Sequence, residues 1–463
     1  MLKRVTHWLD DRLGISAVML PIIRHPVPKN VNWWYVFGSS TLVVFVSQAI
    51  TGVLLAFTYV ASPESARSSL LFISNGATFG SIIRGLHYWG ASAMVVLITL
   101  HVVRVSLMGS YKFPREMNWL VGVGLLFLTL AMAFTGQLLR WDQDAYWTAV
   151  VGAEQAGRVP FVGEWLAHLL IAGQTVGAQT LTRFYAIHVF LIPATLILFI
   201  SVHLFLVVHH GISEPPKAGV KVDPNTYRAR YKELLKKDGV PFWPDAAWRD
   251  VVFAILIGAI LMALAIFVGP KTIGEPADPT IVIASPRPDW YFLWYFAVLA
   301  LIPPGIENWV MVGFPLLAII GMIAVPFIGP KGERSPKRRP WVLAVVGVVA
   351  LSIAVFSWEG TQSVWSPVLE ATPIPESLTR TMSSGAQRGA NLFYDKGCIS
   401  CHTVGDVGGK RGPNLTDVES RLSGEEMTWR ILNGGTNMPG YGDSLTPPEL
   451  EQLIEFLQSQ KTP

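Results

Sequence analysis

Two apolar stretches of this chain each carry two histidines at nearly one spacing: His87 and His101 in the first, His188 and His203 in the second. At about 1.5 Å and 100° per residue, gaps of 14 and 15 residues return to nearly the same helix face about 21 to 22 Å further along. Each helix thus offers one imidazole near each membrane surface. A lone histidine in such a helix is usually a hydrogen-bonded core residue or a proton relay, because an unpaired polar group at that depth is costly. Four at matched spacing suit another use. If the helices face each other, the rings form two pairs, and two pairs of neutral imidazoles are what two six-coordinate haem irons require.

Half of the 463 residues are hydrophobic and only 15% are charged, so this is a membrane protein before anything else. A formal charge of +4 is too small to argue for nucleic acid. Seven stretches are apolar and long enough to cross a bilayer, near 34–60, 82–109, 119–139, 184–208, 250–268, 308–328 and 340–358. The histidine helices are the second and fourth and run in the same direction. His87 and His188 then lie at one surface, His101 and His203 at the other. Lys3, Arg4 and Arg12, Lys112 and Arg115, the cluster Lys217, Lys221, Arg228, Arg230, Lys232, Lys236 and Lys237, and the run Lys331, Arg334, Lys337, Arg338 and Arg339 all fall on one side. The positive-inside rule makes that side cytoplasmic and sends the tail beyond about residue 360 to the external face. The amino terminus reads as an interfacial amphipathic helix and not a removed signal.

After Trp358 the composition turns to Ser, Thr, Pro and Gly, a linker over 359–384. A small soluble module follows, closed by PPELEQLIEFLQSQ with Leu450, Leu453, Ile454 and Leu457 at helical spacing. Within it, CISCH at 398–402 places two thiols three positions apart beside a histidine. Cys398 and Cys401 can add to the two vinyl groups of one haem while His402 reaches the iron. A redox dithiol or half a zinc site explains neither the adjacent histidine nor the absence of other cysteines. Met438 in NMPGY is the expected opposite ligand, with Met427 and Met382 as competitors and Gly412, Pro413 and Asn414 as a turn along the haem edge.

Glycines repeat the histidine period. Gly38 and Gly52, and Gly122 and Gly136, are each 14 residues apart, which gives a flat macrocycle room against helical backbone; close packing of small residues is the plainer alternative. Arg84 and Arg104, each three residues from a histidine, suit haem propionates, or else control topology and snorkel. PDWY at 288–291 presents a carboxylate at the surface of the His87 and His188 pair. Asp289 can accept a proton from a bound hydroxyl, whereas an interfacial aromatic belt explains only Trp290 and Tyr291.

In order along the chain, the glycine pairs, the four histidines, TRFYAIHVFLIP, TGQLLRWDQ and PDWY resemble the cytochrome b family of quinol-oxidising bc complexes over residues 1–358. The 15-residue second histidine gap is similar to the photosynthetic branch. Residues 385–460 resemble a class I cytochrome c. The expected fold is all-α: a bundle of about seven transmembrane helices, with a four-helix di-haem core over 1–213, a three-helix part over 214–358, the linker, and a monohaem cytochrome c domain over 385–463.

The resemblance implies the cytochrome b subunit of a proton-translocating quinol:cytochrome c oxidoreductase in a bacterial inner membrane, with two b haems on His87/His188 and His101/His203. Quinol is oxidised externally, with Asp289 accepting a proton and Tyr291 nearby. One electron goes to a Rieske protein and the tethered cytochrome c, the other across both b haems to a cytoplasmic-side quinone. A downstream cytochrome c or oxidase and a two-fold dimer are family expectations. The alternative is a di-haem conduit anchoring another dehydrogenase or reductase. A Rieske [2Fe-2S] centre needs two cysteines of its own, and both here are committed, so that subunit is expected as a separate chain. The chain departs from the family at three points. Asp289 stands where Glu is commoner, which leans towards menaquinone; Gln137 and Arg140 replace the usual Tyr and Pro; and Val36 replaces the cysteine that binds an extra haem in the photosynthetic branch.

Overall fold

The computed structural model describes residues 2–173, 175–278, 281, 287–303, 306–328, 332–362, 372–409, 412–435, 438–442 and 444–460. Helix dominates, as it must where lipid offers the backbone no hydrogen-bond partner. Among the described residues six helices are long and apolar enough to cross a membrane: Trp33–Ala56, Gly80–Leu107, Glu116–Leu138, Ala178–His210, Trp248–Val268 and Pro340–Gln362. The stretch expected to cross at 308–328 forms Glu307–Ala324, 18 residues with Pro315 inside. At 1.5 Å per residue it reaches about 27 Å, just short of the roughly 30 Å hydrocarbon core.

The first four spans form a bundle. The first packs on the second and the third on the fourth, while the second and fourth stand on its diagonal. The fifth covers the first and second, the apolar helix Leu293–Leu301 packs on the last span, and Glu307–Ala324 touches the third. Side chains such as Phe190, Leu198, Ile255, Val348 and Leu351 point outward on the spans, where lipid is the solvent.

The fourth span is not uniformly α-helical. Ile187–Leu191 form a π-helical turn around His188, closed by the Ile192 N–H donating to the Ile187 carbonyl. Such a wide turn accommodates one extra residue. It absorbs the difference between the 15-residue gap here and the 14-residue gap in the second span.

The basic loops do more than set orientation. Arg339 is fully buried and donates to the carbonyls of Ser106 at 3.2 Å and Leu107 at 2.6 Å, closing the second span. Arg115 donates to His210 at 3.2 Å and Gly211 at 2.9 Å, closing the fourth. Both helices therefore end at the same face, with their last carbonyls satisfied by guanidinium groups. Lys331 of the expected basic run lies outside the described residues.

The C-terminal unit is built on helices Ser384–Asp395 and Pro447–Gln458, which cross where a Cβ on Gly389 would stand 2.0 Å from the Gln452 carbonyl oxygen. Phe393, Ile399, Leu453 and Phe456 fill its core. Of the expected linker, 363–371 lie outside the described residues; a short helix, Glu376–Thr379, precedes the unit.

Candidate functional site

The four histidines meet as two pairs across the bundle diagonal. Ring centroids of His87 and His188 are 6.4 Å apart, and those of His101 and His203 are 6.5 Å apart. A metal–imidazole bond is about 2 Å long, so two such bonds in line, plus the rings themselves, span a gap of this size. Each expected glycine faces one histidine. A Cβ would meet a ring atom of His101 at 3.0 Å from Gly38, of His87 at 3.3 Å from Gly52, of His203 at 3.5 Å from Gly122 and of His188 at 2.6 Å from Gly136. The glycines thus make room for the imidazoles that would ligate a macrocycle.

Two threonines that spacing did not single out orient the pair near PDWY. Thr51 donates its hydroxyl to the Ser47 carbonyl at 2.7 Å and Thr135 to that of Ala131 at 2.9 Å. Each hydroxyl oxygen lies 3.0 Å from a ring Nδ1, of His87 and His188 respectively. With its proton committed to the helix, the hydroxyl accepts from Nδ1–H, which leaves Nε2 bare and directed to a metal. The signal was in the sequence: both threonines immediately precede a paired glycine. No hydroxyl holds His101 or His203 in this way among the described residues.

The pair near the basic loops opens instead into a cavity of about 560 Å³, lined by Tyr35, Ser39, His101, Arg104, Asn118, His203 and Asp250, among others. Arg104 is buried, lies 3.7 Å from the Tyr35 ring centre, and among the described residues leaves Nε and Nη2 without a hydrogen-bond partner. An unmatched buried guanidinium beside paired histidines fits an anionic propionate. Arg84 is placed differently. It donates to the Ser74 hydroxyl at 2.9 Å and the Lys271 carbonyl at 2.6 Å, so it anchors the segment leading to PDWY.

Asp289 sits at the PDWY end with its side chain 10% exposed. Its backbone N–H donates to Gln137 Oε1 at 3.0 Å, and the Tyr291 hydroxyl donates to its Oδ2 at 3.1 Å. Its carboxylate faces Arg140 at 3.7 Å and Lys271 at 3.6 Å. Trp290 Nε1 donates to Ser92 at 3.2 Å, which pins the motif to the second span. Segment 271–278 is laced onto the third-span motif: Gly274 N–H donates to Asp142 Oδ2 at 3.2 Å, and Gln143 and Asp278 exchange bonds of 2.9 and 2.7 Å.

In the C-terminal unit, burial pushes the Cys398 thiol up to about 12. Burial holds His402 below its ordinary value, and its Nδ1–H donates to the Pro413 carbonyl at 2.9 Å, again leaving Nε2 for a metal. A Cβ on Gly412 would lie 2.5 Å from the His402 ring. Met427 is 2% exposed within the core, and Met382 Sδ accepts from Ser459 at 3.4 Å. Met438 stands half-buried in a turn closed by a 2.8 Å bond from Gly435 N–H to its carbonyl.

Comparison with known proteins fits this geometry. The family model for cytochrome b/b6/petB matches residues 22–211 and that for cytochrome b(C-terminal)/b6/petD residues 276–375. Cytochrome b of Cereibacter sphaeroides is 30% identical over 383 residues, covering 78% of this chain and 84% of that protein. The chain belongs to the cytochrome b family. Its C-terminal unit matches the model for cytochrome c oxidase, cbb3-type, subunit III over 385–457, so it is a cytochrome b fused to a cytochrome c domain. The menaquinol:cytochrome c reductase cytochrome b subunit of Bacillus subtilis is 42% identical over 224 residues, 46% of this chain and all of that protein. A structure described as a hyperthermophilic respiratory complex III superposes with a TM-score of 0.67 at 28% identity, covering 77% of this chain and 91% of that one. This cytochrome b is therefore a subunit of a bc-type complex, and haem b and haem c belong to its chemistry. Against that family's pattern, the replacements at Gln137 and Arg140 are the partners of Asp289. Val36 is buried on the wall of the basic-end cavity and offers no thiol.

Proposed function

We propose that this cytochrome b oxidises quinol at the PDWY end, on the external face of a bacterial cytoplasmic membrane, and reduces quinone at the basic end, with proton release outside and uptake inside. The observation that carries the reading is Asp289, held over the His87/His188 pair by Gln137 and Arg140. Its carboxylate accepts a quinol proton, and Tyr291, donating to the same carboxylate, fixes its orientation. Among the described residues the Arg140 nitrogens make no hydrogen bond and meet carboxylates at 3.5 to 3.7 Å, which leaves hydrogen-bonding capacity for a quinol oxygen.

His87 with His188, His101 with His203, and His402 with Met438 would hold three haems, the last also through Cys398 and Cys401, and these would supply three one-electron stations. The chain's own contribution is to fix the imidazole tautomers through Thr51, Thr135 and Pro413, to offer Arg104 to an acidic group, and to keep the spans dry. A separate Rieske chain takes one of the two quinol electrons, and the cytochrome c domain receives it next and passes it to a downstream cytochrome c or oxidase. The basic loops favour a cytoplasmic amino terminus. The menaquinol reductase relative and Asp289 favour menaquinol, and a homodimer follows the family.

Asp289→Asn tests the reading in the purified complex. Quinol oxidation should fall by at least about 100-fold with the b-haem spectrum intact. Unchanged turnover across pH would remove the proton role. A pyridine haemochrome ratio of two b haems to one c haem per chain is expected, and absence of b haem would sink the assignment.

A further inference from the structure

The carboxylate of Asp289 is embedded in a chain of charges in which each group lies within 3.7 Å of the next. Arg140 lies 3.5 Å from Asp142 and 3.7 Å from Asp289. Lys271 lies 3.5 Å from Asp144 and 3.6 Å from Asp289. Each cation therefore faces two carboxylates, and Asp289 is the one they share. The side chains grade outward, from 10% exposed at Asp289 to 31% at Lys271 and 34% at Asp144. Tyr291 donates to Asp289, Tyr88 feels its charge, and Arg84 stands in the field of Arg140 and Asp142.

This arrangement matters when Asp289 changes charge. A buried cation that loses its only carboxylate is costly, because desolvation is no longer offset. Here neither cation would be stranded. With Asp289 neutral, Arg140 retains Asp142, whose own carboxylate is fixed by the N–H groups of Ala145 at 2.9 Å and Gly274 at 3.2 Å. Lys271 retains Asp144. The Lys271 backbone is held by the bond from Arg84, so only its flexible side chain needs to move.

We propose that Lys271 is a positioning residue of the quinol-oxidising site: its ammonium is shared between Asp289 and Asp144 at rest and passes to Asp144 when Asp289 takes the quinol proton. This rests on the reading of Asp289 as proton acceptor given above. The proton leaves the quinol hydroxyl for the Asp289 carboxylate and is released from it to external water. Lys271 neither takes up nor gives up a proton in this sequence. Its return to Asp289 re-forms the ion pair as the carboxylate ionises, which favours release.

The test follows the pH profile of haem c reduction by a water-soluble naphthoquinol in the purified complex with its iron–sulfur subunit. Removing the cation in K271M disfavours ionised Asp289, so the acid limb should move to higher pH by roughly one unit, a tenfold loss at the acid end. K271R keeps the charge and should restore the wild-type limb. D144N leaves Lys271 with Asp289 alone, so its limb should move to lower pH and its plateau should fall severalfold. Opposite shifts in two neighbouring variants are not produced by loosened packing. Superimposable limbs in wild type, K271M and D144N, or equal loss at every pH, would overturn the proposal, with b-haem spectra certifying assembly. Asp289→Asn separates the two ideas: if it abolishes turnover while the K271M limb stays in place, Lys271 has no such role but the Asp289 reading stands.

Discussion

At the PDWY end of the bundle, the imidazoles of His87 and His188 are gripped by Thr51 and Thr135, and Asp289 is paired with the charges of Arg140 and Lys271. At the basic end, His101 and His203 face a cavity of about 560 Å³ in which Arg104 keeps two nitrogens unmatched. One backbone plan thus carries two different sites. Where protein side chains complete the hydrogen-bonding, geometry is fixed before any ligand arrives. Where they do not, the ligand completes the site and its loss leaves buried polar atoms exposed to one another.

Seven substitutions break or sharpen that contrast. His188→Leu and His203→Leu should each remove one b haem, lowering the haemochrome ratio to one b per c; loss of both from either change would mean that the two ends are not independent. Arg104→Leu should cost the basic end more than half its haem on dialysis, because the acidic group it matches is left unpaired. Arg84→Leu should spare haem content and raise the KM for quinol, since Arg84 serves Ser74 and the Lys271 backbone. Gly136→Ala should then loosen the PDWY-end haem by overpacking worth about 1 to 3 kcal/mol, against less from Gly122→Ala, given Cβ contacts of 2.6 and 3.5 Å. Redox titration with a haem-loss assay would rank the pair. Smallest, Thr135→Val should keep both haems but weaken retention at the PDWY end by roughly 10-fold, as when an outer hydrogen bond to a metal-bound histidine is removed. Among the described residues the other end offers no equivalent hydroxyl to change.

Much of this was legible in the chain because it is periodic. The histidines, the paired glycines and the apolar runs all follow from helix geometry, and CISCH needs only local spacing. What periodicity could not reveal depends on tertiary placement. Glu307–Ala324 stops short of the expected 328 because the chain turns after Ala324. Arg84 reads as equivalent to Arg104 by spacing, yet a segment almost two hundred residues on supplies the carbonyl it serves. Gln137 and Arg140 looked like separate departures, and only the fold shows that both answer Asp289. Lys271 carries no motif, and its role comes from a strap folding back on Asp142 and Gln143.

The last span and the C-terminal core are one polypeptide, joined across residues 363–383. A covalent link of about that length holds its cargo at an effective concentration near the millimolar range whatever the dilution outside. Free carriers must find the membrane complex by charge steering, and they lose speed as salt rises. A leashed carrier has no such search to make. Its contact face can be weakly charged and quick to release, and the slow step moves from encounter to departure.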